Sequence, residues 1–371
     1  MNKPIKVLQI TEYIKHGGGV SEVIMNYYRC MDTTEVLFDF MVNMPVDDDL
    51  KEWIESRGSK IYVMPGLSIK NTFRYKKELE NFFEAHQGEY QIVHGHTPNA
   101  AAYYMPIAKK YGVPVRILHS HNSRGADSQI KRIRNWLMSR VGIANTTHRF
   151  ACSKVAAEYL YGNDNAFILN NAIDLDSFGF DAAQRIRIRD ELKISEDTIL
   201  IGHIGRMAEQ KNHKFIIEIA EALSKCNDDK RQYKFLMIGD GPLRTSIEAA
   251  IKEKHLENQI ILTGVLDNAR LYYNAMDAFV LPSLYEGLPV VGVEAQANGV
   301  PLAISENVTA DTIMADNAKM LSLNDVVIWR DWIIENAGNR MDNKSSLSER
   351  GFDIVAEANK LSEKYLELSE K

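Results

Sequence analysis

In the segment PSLYEGLPVVGVEAQANGVP, Glu286 and Glu294 stand eight residues apart around a Gly287-Leu288-Pro289 turn. A carboxylate accepts a pair of hydroxyl hydrogens, so one at the start of a helix and one two turns along it suit the diols of a ribose and a hexose. Amides exposed by the turn can hold phosphate. In GHIGRMAEQKNH, Arg206 and Lys211 are five apart and directly follow Gly205. A guanidinium and an ammonium beside a glycine turn suit a diphosphate, because they neutralise charge that grows on a leaving group. The competing reading is a solvated loop carrying two unrelated cations.

Near the start, KHGGGVSEVIMNYY places Gly17, Gly18 and Gly19 just before a helix. Three glycines let backbone N–H groups approach an anion, or simply make a sharp strand-to-helix turn. Their spacing is not the dinucleotide fingerprint. Four of the ten histidines, His94, His96, His119 and His121, end two apolar runs, QIVHGH and VRILHSH. Residues two apart on a strand share a face, so each pair has the spacing of a metal site, yet few carboxylates lie nearby in sequence to complete one. Hydrogen bonding to a sugar or phosphate, or acid/base work, suits His121, and buried structural roles suit His94 and His119. The Asp47-Asp48-Asp49 run follows Pro45 and reads as a surface loop rather than a metal-binding Asp-x-Asp.

Such groups need strand ends to carry them, and the chain supplies these twice. Short β-branched runs at 5–10, 37–43, 60–64, 91–96, 115–121, 149–153 and 167–170 alternate with helical spacing at 20–31, 72–86, 99–111 and 128–142. A second series follows at 199–205, 234–239, 260–265, 278–283, 301–305 and 319–323. Crossover helices make such strands parallel, which predicts an α/β chain of two doubly wound sheets. Ligands of open parallel sheets bind beyond the carboxyl ends of the strands, where the residues above are found. The boundaries are expected at 1–172, 173–345 and 346–371. In the last segment Ile354, Ala358, Leu361, Tyr365 and Leu368 make one apolar stripe that must cover a surface.

The 371 residues suit two domains, with 44 Lys+Arg against 50 Asp+Glu and a net charge of −6. That balance argues against nucleic-acid binding, which needs a basic face. Residues 1–172 are nevertheless net +4 and residues 173–371 net −10. No stretch reaches the roughly 20 apolar residues of a membrane span, and Glu12 interrupts any signal-peptide core, so the chain is expected in the cytoplasm. Cys30, Cys152 and Cys226 are expected as reduced thiols.

Taken in order, the GGG loop, VHGH, HSHN, NNAIDLDSF, GRMAEQKN, IGDGP and EGLPVVGVE resemble the retaining glycosyltransferases of family 4 across nearly the whole chain. The resemblance is closest to bacterial transferases that build exopolysaccharide or capsule repeat units. It implies a GT-B fold, in which two Rossmann-like domains face each other across a cleft and a C-terminal helix packs back on the first. It further implies that Arg206 and Lys211 grip the donor diphosphate beside Gly205, that Glu294 binds the ribose and that Glu286 binds the transferred sugar. The amides around Gly287, Leu288 and Pro289 would assist, Pro289 itself having no N–H. Gly18 and Gly19 would close on the diphosphate, the backbone at Val265 would read the base, and His121, or His119 two residues back, would meet the sugar or its acceptor.

The substrates so implied are a nucleotide-sugar donor, most simply a UDP-sugar, and a glycan or lipid-linked oligosaccharide acceptor, with neither a cofactor nor a metal. In such enzymes the acceptor attacks on the face from which the nucleotide leaves, the donor phosphate takes the proton, and no enzymic nucleophile is required. The segment 130–141, IKRIRNWLMSRV, mixes Lys131, Arg132, Arg134 and Arg140 with Ile130, Ile133, Trp136, Leu137 and Val141. Such a helix suits an anionic membrane surface or an ordinary core with a basic outer face. A nucleotide-sugar epimerase, a nicotinamide dehydrogenase and a non-catalytic sugar-binding module are the competing functions. The paired cations and carboxylates favour transfer over epimerisation, and the glycine spacing opposes the dehydrogenase.

Overall fold

A computed structural model describes residues 3–68, 70–122, 129–162, 165–226, 231–266 and 268–370. The chain divides into two compact units, one of residues 1–170 with 354–371 and one of residues 171–353.

The first unit holds a seven-stranded sheet of β1 (Ile5–Ile10), β2 (Val36–Val42), β3 (Ile61–Val63), β4 (Ile92–Gly95), β5 (Val115–Ser120), β6 (His148–Ala151) and β7 (Phe167–Ile168). Its order is β3-β2-β1-β4-β5-β6-β7 and every pair is parallel. The second unit holds β8 (Thr198–Ile204), β9 (Gln232–Ile238), β10 (Ile260–Gly264), β11 (Ala278–Leu281), β12 (Leu302–Ser305) and β13 (Ala318–Leu321). These run β10-β9-β8-β11-β12-β13, again all parallel. In each sheet the order reverses beside the first strand, between β1 and β4 and between β8 and β11. Those are the switch points where loops diverge and leave room for a ligand.

Strands covered on both faces turn apolar residues toward each, and most positions of the central strands are apolar. In the second unit neighbours along one strand enter opposite cores. Ile201, Phe235 and Val280 pack with Ile216 and Trp329 on one face. Leu200, Leu236 and Phe279 pack with Tyr273 and Leu302 on the other. Truncating Phe235 or Trp329 to alanine would cost about 3–5 kcal/mol, as for other large buried aromatics. The charged segment after the first crossing forms the helix Ala182–Glu191, started by Asp181, which accepts the amides of Ala183 and Gln184. Its Arg185 and Arg189 both pair with Asp277 just before β11, at 2.6 and 3.1 Å.

In the first unit the helix Gly19–Cys30 buries Val23, Ile24, Tyr27 and Tyr28, and Tyr28 stacks on Phe38 of β2 with centroids 4.7 Å apart. The apolar stripe of the tail forms the helix Ile354–Ser369, whose Ile354, Ala358, Leu361, Tyr365 and Leu368 are buried. Tyr365 lies edge-on to Phe38 at 6.0 Å. The helix Lys344–Glu349 belongs to the second unit, where Leu347 is fully buried.

One expectation needs correction. Asp47, Asp48 and Asp49 are not a surface loop: Asp47 precedes the helix Asp48–Ser56 and the other two form its first turn. Acidic residues belong there because the helix N-terminus is the positive end of its dipole. Asp47 also accepts the His16 amide at 2.9 Å, and Asp49 meets His16 Nε2 at 2.8 Å. No disulfide joins Cys30, Cys152 and Cys226.

Candidate active site

The loops leaving β8 and β9 are held backbone to backbone. Gly205 N–H donates to Ile238 O at 2.9 Å, and Met207 N–H to Asp240 O at 2.9 Å. This closeness requires glycine opposite: a Cβ on Gly239, which has φ +138°, would lie 2.1 Å from Gly205 O, and one on Gly241 would lie 2.5 Å from Met207 O. Arg206 is thus carried between two pinned neighbours and is exposed. Its guanidinium makes no hydrogen bond or ion pair with the described residues.

Lys211 ends the short turn Glu209–Lys211, after which Asn212 is left-handed at φ +54°. The turn is clipped to the loop after β11. Leu284 N–H donates to Gln210 O at 2.8 Å, and the Gln210 side-chain amide donates to Tyr285 O and Glu286 Oε2, both at 3.0 Å. Lys211 Nζ lies 2.6 Å from Glu286 Oε1, with 16% and 11% of the two side chains exposed. A cation predicted for phosphate and a carboxylate predicted for sugar therefore meet in the unliganded chain.

After Glu286 the chain turns through Gly287, Leu288 and Pro289, all buried, into the helix Val290–Asn298. Asn171 donates to Leu288 O at 2.6 Å and fixes the turn. Glu294 is oriented by the Tyr273 hydroxyl, which donates to its Oε2 at 2.8 Å. Burial, reinforced by the Glu294 charge, raises the Tyr273 phenol far above its ordinary value, so it remains a donor. Val265 is exposed after Gly264, whose φ of +77° turns the chain out of β10.

In the first unit Gly17 is left-handed at φ +68°, and its N–H donates to Glu22 Oε1 at 3.2 Å. Gly18 has no room for a Cβ, which would lie 2.7 Å from the Tyr13 ring and 2.9 Å from Ser21 Oγ; a Cβ on Gly19 would meet nothing within 4 Å. The four histidines gather where β4 and β5 end. His94 Nδ1 lies 2.6 Å from the Tyr365 hydroxyl and its Nε2 3.2 Å from His119 Nδ1. His96 Nδ1 lies 2.8 Å from His121 Nε2, and its Nε2 2.8 Å from Gln9 Oε1. Burial pushes His94 down to about 3 and His121 down to about 4, and lowers His96 and His119 strongly as well. All four are neutral at neutral pH.

His94, His96 and His119 bring ring nitrogens within 4.8 Å of one another, as a metal site would. Hydrogen bonds already occupy both nitrogens of His94 and of His96, however, leaving only His119 Nε2 without a partner. The cluster is a hydrogen-bonded stack. His119 is fully buried, and His121 is partly exposed beyond it.

The second unit thus gathers Gly205, Arg206, Lys211, Glu286, Gly287, Leu288, Pro289 and Glu294 around the ends of β8 and β11, with Val265 after β10. Gly18, Gly19 and His121 belong to the first unit. Sequence reasoning did not find Gln210, Tyr273, Gln9 or Tyr365, which hold these groups in place. A glutamine inside the apolar run IKVLQI was the one signal available for Gln9.

Residues 17–177 match the family described as Glycosyltransferase Family 4, and residues 184–324 that described as Glycosyl transferases group 1. Over 351 residues the chain is 31% identical to EpsF of Bacillus subtilis (strain 168), which carries a provisional glycosyltransferase name, covering 91% of this chain and 90% of that protein. A UDP-Gal:alpha-D-GlcNAc-diphosphoundecaprenol alpha-1,3-galactosyltransferase of Escherichia coli is 24% identical over 300 residues, 76% of each chain. Among solved structures, HepE of Anabaena in complex with UDP-glucose superposes with a TM-score of 0.79 at 15% identity, covering 98% of this chain and 100% of that one. That likeness speaks for the fold. The chain belongs to the family 4 and group 1 glycosyltransferases and has their GT-B fold of two Rossmann-like domains.

Proposed function

We propose that this glycosyltransferase moves a hexosyl group from a UDP-sugar to a glycan or lipid-linked acceptor, with retention of configuration, in the synthesis of a cell-surface polysaccharide. The observation that carries the reading is the Lys211–Glu286 pair at 2.6 Å, beside exposed Arg206 and at the start of a helix that also bears Glu294. In this reading residues 173–345 take the donor: Arg206 and Lys211 the diphosphate, Glu294 the ribose, Glu286 the hexose and the Val265 backbone the base. Residues 1–172 take the acceptor, with Gly18 and Gly19 at the diphosphate and His121 at the sugar. The acceptor hydroxyl attacks from the leaving-group side and gives its proton to the departing phosphate, while Arg206 and Lys211 stabilise the charge that develops there. The diphosphoundecaprenol named for the E. coli relative supports the class of acceptor. An epimerase would leave acceptor chemistry without a part.

The test is a thermal-shift and hydrolysis screen against UDP, GDP and ADP and their glucose, galactose and N-acetylglucosamine forms. Stabilisation by UDP, with slow UDP release from one of its sugars, is expected, since a ligand of the native state raises the melting temperature. No shift with any of them, in protein that melts cooperatively, removes the donor reading.

A cytoplasmic enzyme working on a lipid-linked acceptor has to reach the membrane face, and one helix suits that contact. In Gln129–Ala144 the side chains of Ile133, Trp136 and Leu137 are 61%, 54% and 55% exposed beside exposed Arg132, Arg134 and Arg140. Apolar groups amid cations suit the interface of an anionic bilayer. Ile130 and Lys131 of the same segment have side chains outside the described residues. No helix of the described residues is long and apolar enough to cross a membrane. Phosphatidylglycerol vesicles at low salt should sediment the protein, and failure to do so removes this contact.

A further inference from the structure

The histidine stack contains one residue whose chemistry is directional. Gln9 is the next-to-last residue of β1, 1% exposed, and its amide joins two branches of the stack. Its Oε1 lies 2.8 Å from His96 Nε2, and its Nε2 donates to the Tyr365 hydroxyl at 3.4 Å. We propose that Gln9 is a positioning residue that fixes, through His96, which ring nitrogen of His121 carries the proton.

An amide oxygen can only accept, so His96 must hold its proton on Nε2. A neutral imidazole has a single N–H, so His96 Nδ1 is a lone pair. His121 Nε2, 2.8 Å away, must then be the donor of that bond. His121 is left as the Nε2–H tautomer, and its Nδ1 becomes an acceptor. The second branch runs the same way. The amide N–H of Gln9 donates to Tyr365, the Tyr365 hydroxyl donates to His94 Nδ1, and His94 Nε2–H donates to His119 Nδ1. The branch ends at His119 Nε2, which has no partner. Turning the Gln9 amide over would reverse every bond in both branches and move the His121 proton to Nδ1. The relay operates because no member is charged at neutral pH: burial holds His121 down to about 4 and His94 to about 3, and lowers His96 and His119 strongly as well.

The consequence is a choice of ligand group. An imidazole that offers a lone pair takes a hydrogen from a hydroxyl and gives none to a phosphate oxygen. His121 therefore selects a sugar hydroxyl rather than the diphosphate; this step rests on the proposed sugar transfer, whereas the tautomer assignment rests on geometry alone.

The ring nitrogens of the full-length 15N-labelled chain report tautomers directly in long-range proton–nitrogen correlation spectra, with His121→Asn identifying the resonances. The unliganded chain is expected to show His121 in the Nε2–H form, a decision that needs no further variant. Gln9→Leu, which keeps the bulk and removes the acceptor, is expected to raise the Nδ1–H fraction of His121 several-fold. If that chain does not fold, His96→Phe removes the next link and should release His121 in the same way. A native His121 in the Nδ1–H form overturns the relay, as does an unchanged tautomer in a folded Gln9→Leu or His96→Phe chain. Adding UDP-glucose should shift His121 Nδ1. If His121 stays unmoved while UDP-glucose stabilises the fold and the relay holds, the sugar contact fails and the relay stands.

Discussion

Lys211 and Glu286 are 75 positions apart in sequence, yet they form a 2.6 Å ion pair that ties the loop after β8 to the loop after β11. These two strands flank the switch point of the second sheet. Gln210 grips the other oxygen of the same carboxylate at 3.0 Å, so Glu286 is aimed from both sides before any ligand arrives. A site preorganised in this way loses little reorganisation energy when charge develops on a leaving group.

Removing either partner takes the ion-pair contact from the other while leaving its charge mostly covered. Lys211→Ala and Glu286→Ala are each expected to lower unfolding stability by about 1–3 kcal/mol, less than for a fully buried pair because both tips keep some water. The double variant should lose less than the sum of the singles, the signature of a direct interaction. Urea unfolding of the three chains checks this. Sugar-nucleotide turnover in each single variant should fall at least ~100-fold, as when a main electrostatic contact is removed. Turnover like that of the native chain in either would end their assigned roles.

Tyr273 acts on Glu294 through a hydrogen bond of 2.8 Å, so Tyr273→Phe leaves the core filled and removes one donor. The expected cost in stability is about 1 kcal/mol. If Glu294 holds the ribose, KM for the UDP-sugar should rise while kcat stays near its native value, because the ribose contact is made equally in ground and transition states. An unchanged KM would mean that Glu294 is aligned without help from Tyr273.

The strands and the charged strand-end residues were legible for a common reason. Thirteen short β-branched runs sit between helical spacings, and parallel topology then puts Arg206, Lys211 and Glu286 at carboxyl ends. Local sequence carries that much. Gln9 and Tyr365 were not legible as partners because they are 356 positions apart, and each fits its local pattern well enough to hide. Tyr365 completes the apolar stripe of the last helix, and nothing in that stripe distinguishes a tyrosine that packs from one that also donates to His94. The Asp47–Asp49 run was misread because composition suggested a solvated loop, while the dipole of the following helix decided the outcome.

Gly18 and Gly19 separate a structural glycine from a functional one. Gly18→Ala drives a methyl into Tyr13 and Ser21 and should cost about 1–3 kcal/mol. Gly19→Ala meets open space, so the melting temperature should stay near the native value. If that space admits the donor diphosphate to the helix N-terminus, Gly19→Ala should instead weaken UDP-dependent stabilisation several-fold. Calorimetric titration of UDP into both variants distinguishes them, and native affinity in Gly19→Ala would remove the glycine from the ligand's path.

The same burial that keeps the histidines neutral makes the fold sensitive to acid. His94, His121 and His213 are pushed down to about 3, 4 and 4, and His96, His119 and His203 are also lowered strongly, each chiefly by desolvation. In the unfolded chain all six titrate near 6.5. Above that value both states are neutral and these groups leave stability independent of pH. Below it the unfolded chain takes up protons that the native chain refuses, so stability falls as pH falls, by up to about 1.4 kcal/mol per pH unit for each histidine. The fall continues until pH reaches the native values near 4 and 3, where His121, His213 and His94 themselves become charged. Urea midpoints should therefore be level between pH 8 and 7 and decline steeply from pH 6.5 to 5, well above the range in which ordinary carboxylates titrate. Level midpoints down to pH 5 would show that the native chain binds those protons, and a protonated His96 would break the acceptor that holds His121 in one tautomer.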